Sequence, residues 1–339
     1  MPSDSHATQE RTRTEARFPR VGNAAGHYES FYIKATRPGG GKGIWLRHTV
    51  HKRPDEEPTG SLWVTVFDAD EPSPRAVKLT VGADELAAPG GAYIKVANAL
   101  LEPGRAHGSL DVDGTAVSWD LTFESEAPAF RHLPYDFLYG AKLPRTKLLS
   151  PYPDARYSGA FTIDGETTEL DSWPGMIGHN WGAEHAERWI WTQANEFREA
   201  DGYFDAALGR IKIGPWTTPW VANGILHLDG TSHRLGGLDR VRSTKVDEHP
   251  TACEFELTGK DIKVRGRVSS EPRNFVAWVY ADPVGPEHNT VNCSISDMEL
   301  TVERKGLEPV RLECIGAAAY ELGMRETDHG IPLQPYPDG

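Results

Sequence analysis

Among the residues that could do chemistry are His179 and Trp181 within Gly178-His179-Asn180-Trp181-Gly182, and Tyr203 and Asp205 further on. An imidazole, an indole, a phenol and a carboxyl group could together orient a water, face a cation, relay a proton and donate one to a double bond. Protonation to a tertiary carbocation needs a strong acid, a dry pocket and an electron-rich wall. Asp205, if buried among aromatic residues, is expected to keep its proton and donate it. Trp181 offers a π face to the cation, His179 can orient the acid or the attacking water, and Tyr203 can relay a proton or hold that water. Each also has a packing role open to it. His179 sits between Gly178 and Asn180 as hydrogen-bonded loop residues often do, and Asp205 occupies the same Phe-Asp-Ala setting as Asp68, which suits a strand-end role.

Six of the ten tryptophans fall between Trp173 and Trp220, two of them in Arg188-Trp189-Ile190-Trp191-Thr192-Gln193-Ala194-Asn195. Such a cluster serves either as core, because aromatic residues suit strands and bury large areas, or as the wall of an apolar pocket. Trp189, Trp191, Gln193 and Asn195 are the candidates for holding a substrate.

Other chemistries lose their usual support. His179, Glu184 and His185 are close in sequence but lack a recognised ligand spacing, so no metal is assigned. His48 and His51 fall on opposite faces of an expected strand. Gly39-Gly40-Gly41-Lys42-Gly43 lacks the Ser or Thr that follows the lysine of a phosphate loop. There is no Gly-x-Ser-x-Gly elbow and no dinucleotide fingerprint behind a strand. The three cysteines, Cys253, Cys293 and Cys314, are odd in number and widely spaced, unlike a disulfide framework or a zinc knuckle.

The elements that must position these residues read as strands. Val117, Trp119, Leu121 and Phe123 alternate with polar residues, and Cys253, Phe255 and Leu257 do the same further on. Asp113-Gly114, Asp164-Gly165 and Asp229-Gly230 are two-residue hairpin signals. The 34 glycines and 25 prolines exceed the usual ~12% share and favour turns over long helices. An all-β chain of antiparallel strands in barrels or sandwiches is expected, with at most a turn or two of helix near 82–88 and 182–188. Phe130 to Pro153 is rich in proline and is expected as an irregular crossover between two β units. Residues 1–26 and 326–339 are expected as flexible tails. A weak internal echo, Trp45-Leu46-Arg47 with Phe67-Asp68-Ala69 against Trp189-Ile190-Trp191 with Phe204-Asp205-Ala206, points to duplication.

A length of 339 residues suggests two domains, and a net charge of −13 repels phosphate backbones, so nucleic acid is excluded as a partner. No apolar run is long enough to span a bilayer and the N-terminal stretch lacks a signal-peptide core, which makes the cytoplasm the expected location. Contact with a membrane surface stays open.

The Gly-His-Asn-Trp-Gly element and the downstream Arg-Trp-x-Trp-x-Gln-Ala-Asn resemble the carotenoid 1,2-hydratase (hydroxyneurosporene synthase) and AttH-like proteins, with tocopherol cyclase a more distant relative. The resemblance implies two lipocalin-like, calycin-type antiparallel β-barrel domains, expected at 27–186 and 187–325, with an apolar pocket near their junction. It also implies catalytic roles for a His-x-Trp and a Tyr-x-Asp pair, matched here by His179/Trp181 and Tyr203/Asp205. The expected function is a hydratase or cyclase without a cofactor, acting on a hydrophobic terpenoid-like or polyketide molecule by proton-initiated chemistry. The alternative is a non-catalytic carrier of an apolar molecule, which needs the tryptophans but neither Asp205 nor His179.

Overall fold

The computed structural model describes residues 14–337. It is 60% strand and 5% helix, and Phe137–Gly140 is the single α-helix among the described residues. The strands of the first half are β1 (His27–Thr36), β2 (Lys42–Lys52), β3 (Thr59–Asp68), β4 (Arg75–Val81), β5 (Leu86–Ala87), β6 (Ile94–Val96), β7 (Ala99–Glu102), β8 (Arg105–Val112), β9 (Thr115–Glu124), β10 (Phe130–Arg131), β11 (Thr146–Ile163) and β12 (Glu166–Gly182). They form one antiparallel sheet in the order β4-β3-β2-β1-β12-β11-β9-β8-β7-β6-β5, with β10 on β11.

The second half contributes β13 (Arg188–Ala194), β14 (Gly202–Arg210), β15 (Lys212–Ile213), β16 (Trp216–Thr217), β17 (Val221–Leu228), β18 (Thr231–Gly236), β19 (Lys245–His249), β20 (Ala252–Gly259), β21 (Ile262–Ser269), β22 (Val276–Tyr280), β23 (His288–Arg304) and β24 (Val310–Met324). The second sheet runs β18-β17-β14-β13-β24-β23-β21-β20-β19, and a pairing of Leu235 with Gly259 joins β18 to β20 and closes it on itself. β22 lies on β23, and β15 and β16 make a separate small hairpin. The result is two lipocalin-like antiparallel β-barrel domains.

Local sequence explains the strands. In β9 Val117, Trp119, Leu121 and Phe123 are buried while their neighbours face water, and the preceding turn sets Asp113 at φ 54° and Gly114 at φ 83°, as a type I′ turn requires. β1 and β2 show no such alternation, because nearly every residue in them is buried. One face, with Phe31, Ile33 and Leu46, fills the first barrel. The other carries Tyr32 and Trp45 and packs on the second barrel, with Trp63 of β3 edge-on to Trp278 at 5.0 Å. A strand buried on both faces loses its period-two signature.

Three expectations change. The segment 130–153 does not carry the chain from one barrel to the other: it lies between β9 and β11, both in the first sheet, and the chain changes sheets at 183–187. Its last third is already strand, and Pro151 and Pro153 sit where the β11–β12 register slips, at Leu149/Tyr152 and Tyr152/Ala155. Residues 14–26 are held: Thr14 and Ala16 are buried, and the Arg17 and Phe18 N–H groups donate to the Glu29 carboxylate at 2.8 Å. At the other end Ile331 is buried, Gln334 N–H donates to the Ala277 carbonyl at 2.9 Å, and the Pro337 carbonyl accepts from Lys78 Nζ at 2.6 Å. Residues 1–13 and 338–339 of the expected tails lie outside the described residues.

Candidate functional site

Between the barrels lies a cavity of about 460 Å³. β1 and β2 give it Ser30, Tyr32, Trp45 and Arg47, β12 gives Asn180, and β13 gives Trp189 and Trp191. The proline-rich segment closes one side with Leu133, Pro134, Leu138, Leu143 and Pro144, while Leu208 and Val221 come from the second barrel. Apolar walls with a few convergent polar groups are what a small-molecule site of this size presents.

The polar groups are fixed. Arg47 Nε donates to Ser30 Oγ at 2.7 Å, and its guanidinium lies over the Tyr280 ring at 4.0 Å. Glu321, also on the wall, accepts from Trp189 Nε1 at 2.9 Å and from the Tyr280 hydroxyl and Asn292 Nδ2 at 3.2 Å each. The guanidinium is thus stacked on an aromatic face and the Glu321 carboxyl group takes three donors, and neither closes the cavity.

Asp205, on β14, is fully buried and lies behind this wall. Its Oδ1 accepts from Trp191 Nε1 at 3.2 Å and its Oδ2 from Ser150 Oγ at 2.6 Å. His132 completes the group: Nε2 is 3.1 Å from Ser150 Oγ and 3.4 Å from Asp205 Oδ2, and Nδ1 is 3.1 Å from the Asn223 carbonyl. A carbonyl only accepts, so Nδ1 carries a hydrogen. The Ser150 hydroxyl thus links the imidazole of His132 to the carboxyl group of Asp205. Sequence reasoning missed His132 and Ser150. Their partners lie on another barrel or a distant loop, and no spacing in the sequence signals such a pairing.

Tyr203 shares the Asp205 face of β14, stacks on His227 at 5.3 Å and is packed with Phe130 and Ile225; burial pushes its phenol well above the usual tyrosine range. It is not on the cavity wall. Gln193 and Asn195 spend their amides on a clamp between the barrels. Gln193 Oε1 accepts from Lys34 Nζ at 3.1 Å, Gln193 Nε2 donates to Asn195 Oδ1 at 2.7 Å, and Asn195 Nδ2 donates to Asp154 Oδ1 at 2.9 Å.

His179 and Trp181 are in a different place from Asp205. Strand alternation turns them to the opposite side of β12 from Asn180, where His179 stacks on Phe31 at 3.9 Å and on Trp181 at 4.5 Å. His179 Nε2 meets Glu29 Oε1 at 2.7 Å. Burial by itself would raise the Glu29 carboxyl, but hydrogen bonds from His179 and His27 outweigh it and bring it to about 2. Burial lowers the His179 imidazole, and the Glu29 charge offsets only part of that. The Arg17 guanidinium lies over the Trp181 ring at 5.0 Å. The structure therefore unites Asp205, Trp189 and Trp191 about the cavity and leaves the His-x-Trp pair inside the first barrel. Gly178 of the same motif acts on the cavity through Tyr32, a wall residue: a Cβ on Gly178 would lie 2.0 Å from Tyr32 Cζ, so only glycine lets that ring lie against β12.

Glu184 and His185 separate from His179. Glu184 pairs with Arg145, and His185 with Asp282. No helix among the described residues is long and apolar enough to cross a membrane.

No family model matches the chain. Two uncharacterized proteins of Mycobacterium tuberculosis, from strains CDC 1551 / Oshkosh and ATCC 25618 / H37Rv, are each 24% identical over 329 residues, covering 96% of this chain and 95% of their own. Among solved structures, a protein assigned to AttH from Nitrosomonas europaea superposes with a TM-score of 0.53 at 13% identity, covering 91% of this chain and 96% of its own. Kievitone hydratase from Nectria haematococca gives 0.50 at 10% identity, with 93% of each chain covered. The likeness is one of fold: the two-barrel architecture is common to all three chains.

Proposed function

We propose that the chain is a hydratase or cyclase that starts its reaction by protonating a compact apolar molecule of terpenoid-like or polyketide type. The observation that supports this most directly is the linked trio His132, Ser150 and Asp205 beside a cavity walled by Trp189 and Trp191. Trp191 stands between the acid and the cavity. In the reacting complex its indole yields the 3.2 Å hydrogen bond to Asp205 Oδ1, and that oxygen delivers the proton to the alkene carbon. The proton is regained when the cation is quenched: the attacking water, or a carbon beside the cyclised cation, loses one, and Ser150 with His132 relays it back to Asp205. Indole faces stabilise the developing cation; attack by water gives hydration, and attack by a second double bond of the same molecule gives cyclisation. The cavity sits in the lower half of the ~300–1,000 Å³ range of small-molecule sites, which suits a compact substrate or one end of a longer one. The hydratase name of one structural neighbour agrees with this reading.

A carrier reading has one observation in its favour: every polar atom of Asp205 is already hydrogen-bonded and the side chain is fully buried. Incubation of isoprenoid alkenes with the protein in heavy-oxygen water and, separately, in deuterium oxide separates the possibilities. Hydration puts heavy oxygen and deuterium into the product, cyclisation puts in deuterium alone, and a carrier returns the ligand unlabelled. Label uptake that persists undiminished in Asp205→Asn would remove Asp205 from the reaction.

A further inference from the structure

The junction of the barrels holds a second polar cluster that the proton chemistry does not use. His185 lies in the connector between β12 and β13, Asp282 follows β22, and His288 opens β23. Their side chains are 7%, 1% and 0% exposed. One ring nitrogen from each histidine and one oxygen of Asp282 lie within 4.8 Å of one another. The rings are held in place: His185 stacks on Tyr28 at 3.8 Å, and His288 stands edge-on to Trp189 at 4.9 Å.

The hydrogen bonding is lopsided. Asp282 Oδ1 accepts the His185 backbone N–H at 2.7 Å and also meets His185 Nδ1 at 2.7 Å. Asp282 Oδ2 and His185 Nε2 have no hydrogen-bond partner among the described residues, and the His288 ring has only a loose backbone contact to Ala186. Buried polar atoms left unpaired cost free energy, so a cluster that keeps several of them calls for a partner. Asp282 Oδ2 stands 3.7 Å from His288 Nδ1, close to the ~3.4 Å that separates two ligands of a tetrahedral ion with bonds of ~2.1 Å. The nearest cation, Arg325, stays 3.9 Å from Oδ2, beyond hydrogen-bond distance, and is held by the Pro286 and Glu287 carbonyls. It balances charge without occupying the oxygen.

We propose that His185, Asp282 and His288 bind one divalent first-row metal ion of the zinc type. Two imidazoles and one carboxylate suit such an ion, whereas calcium or magnesium would ask for oxygen ligands. The ion ties the connector to the β22–β23 corner of the second barrel. Three protein ligands leave a coordination position for water or for an oxygen of whatever fills the cavity, whose wall includes His185. The site shares no residue with His132, Ser150 and Asp205 and stands independently of the hydratase reading.

The test uses the full chain, stripped with a chelator, dialysed, and titrated with Zn²⁺ against a chromophoric competitor, with Co²⁺ as a spectroscopic probe. The expected result is one equivalent bound per chain, d–d bands of a low-coordinate N/O site with Co²⁺, and a rise in Tm that follows free metal concentration. His288→Ala and Asp282→Asn should each weaken binding by on the order of 100-fold or more, and His249→Ala, at an exposed histidine, should not. Absence of stoichiometric uptake by the wild-type chain overturns the proposal, as does unchanged affinity in both His288→Ala and Asp282→Asn. A result of that kind would make the cluster a hydrogen-bonded or water-filled corner. Because the wild-type titration decides by itself, a variant that fails to fold does not leave the question open.

Discussion

Ser150 of the first barrel and Asp205 of the second share a 2.6 Å hydrogen bond across the domain interface. Asp205, the proposed acid, sits on one domain and its hydrogen-bonded partners Ser150 and His132 come from the other, so both barrels are needed to build the trio. Asp205→Asn keeps the shape and removes the acidic proton; turnover should collapse while ligand affinity stays within a few-fold. Ser150→Ala breaks the link to His132 and should lower turnover by about 10²–10⁴-fold, the span of positioned acid–base groups. It should also cost about 1–3 kcal/mol of stability, because a buried carboxyl oxygen loses its hydrogen-bond partner. Steady-state rates beside urea unfolding separate the two effects. A Ser150→Ala enzyme of unchanged rate would leave Asp205 acting without its neighbours.

Gly178 and Tyr32 give a second test, aimed at the cavity and away from the acid. A Cβ on Gly178 would lie 2.3 Å from the Tyr32 hydroxyl oxygen and 2.6 Å from Cε1, so Gly178→Ala must push the ring off β12 and into the cavity. Affinity for apolar ligands, read by quenching of tryptophan fluorescence, should fall about 10-fold or more, with a stability loss of about 1–3 kcal/mol from the overpacking. In a Tyr32→Phe background the clash remains, because Cζ is still 2.0 Å away; in Tyr32→Ala the effect of Gly178→Ala should vanish. Equal binding by Gly178→Ala and wild type would show that the ring has somewhere else to go.

The strands were legible wherever one face meets water. β9 keeps the alternation of Val117 to Phe123, and the turns at Asp113, Asp164 and Asp229 have the positive φ their Asp-Gly pairs imply. β1 and β2 were harder to read, because contact with the second barrel buries their outer faces and erases the alternation. At the site, two of the six clustered tryptophans, Trp189 and Trp191, line the cavity. The His-x-Trp motif did not show which side of β12 its side chains take, since that depends on the neighbours Phe31 and Glu29 of β1. His132, Ser150, Arg47 and Glu321 carry no local signal: each is defined by a partner far away in the chain.

Glu29 sets the acid limit of the first barrel. Its carboxyl stands at about 2 in the fold against an ordinary 4.5, with His27, His179 and the N–H groups of Arg17 and Phe18 around it. A carboxyl lowered by folding contributes stability that is complete above 4.5 and is lost as pH falls from there to about 2. The amount is on the order of 3 kcal/mol at ~1.4 kcal/mol per unit. Glu29→Gln should be less stable at neutral pH and should show a flatter decline over that window. Parallel acid profiles for the two proteins would mean that other carboxylates govern the transition.

Lys34 tilts stability the same way with pH on the alkaline side, but through a cost instead of a gain. Fully buried, it reaches across to the second barrel, donating to the Ala317 carbonyl at 2.6 Å and to Gln193 Oε1 at 3.1 Å. Burial pulls its ammonium down from 10.5 to about 8; Cys314, Glu196 and Asp154 pull the other way and Arg156 adds to the lowering. Between about 8 and 10.5 the unfolded chain binds this proton and the folded chain does not, so the lysine makes stability rise with pH through that window. Below it both states are protonated and the whole cost of burying the charge, on the order of 3 kcal/mol, is present. Lys34→Met removes that cost but leaves Gln193 Oε1 without its donor, so its net stability at neutral pH should move by less than the charge alone implies. The clear readout is the difference between the two proteins across the alkaline range, in which the tyrosines and cysteines common to both cancel. The wild type should gain on Lys34→Met as pH rises, and a difference that stays constant from pH 8 to 10.5 would show that the Lys34 ammonium keeps its proton in the fold.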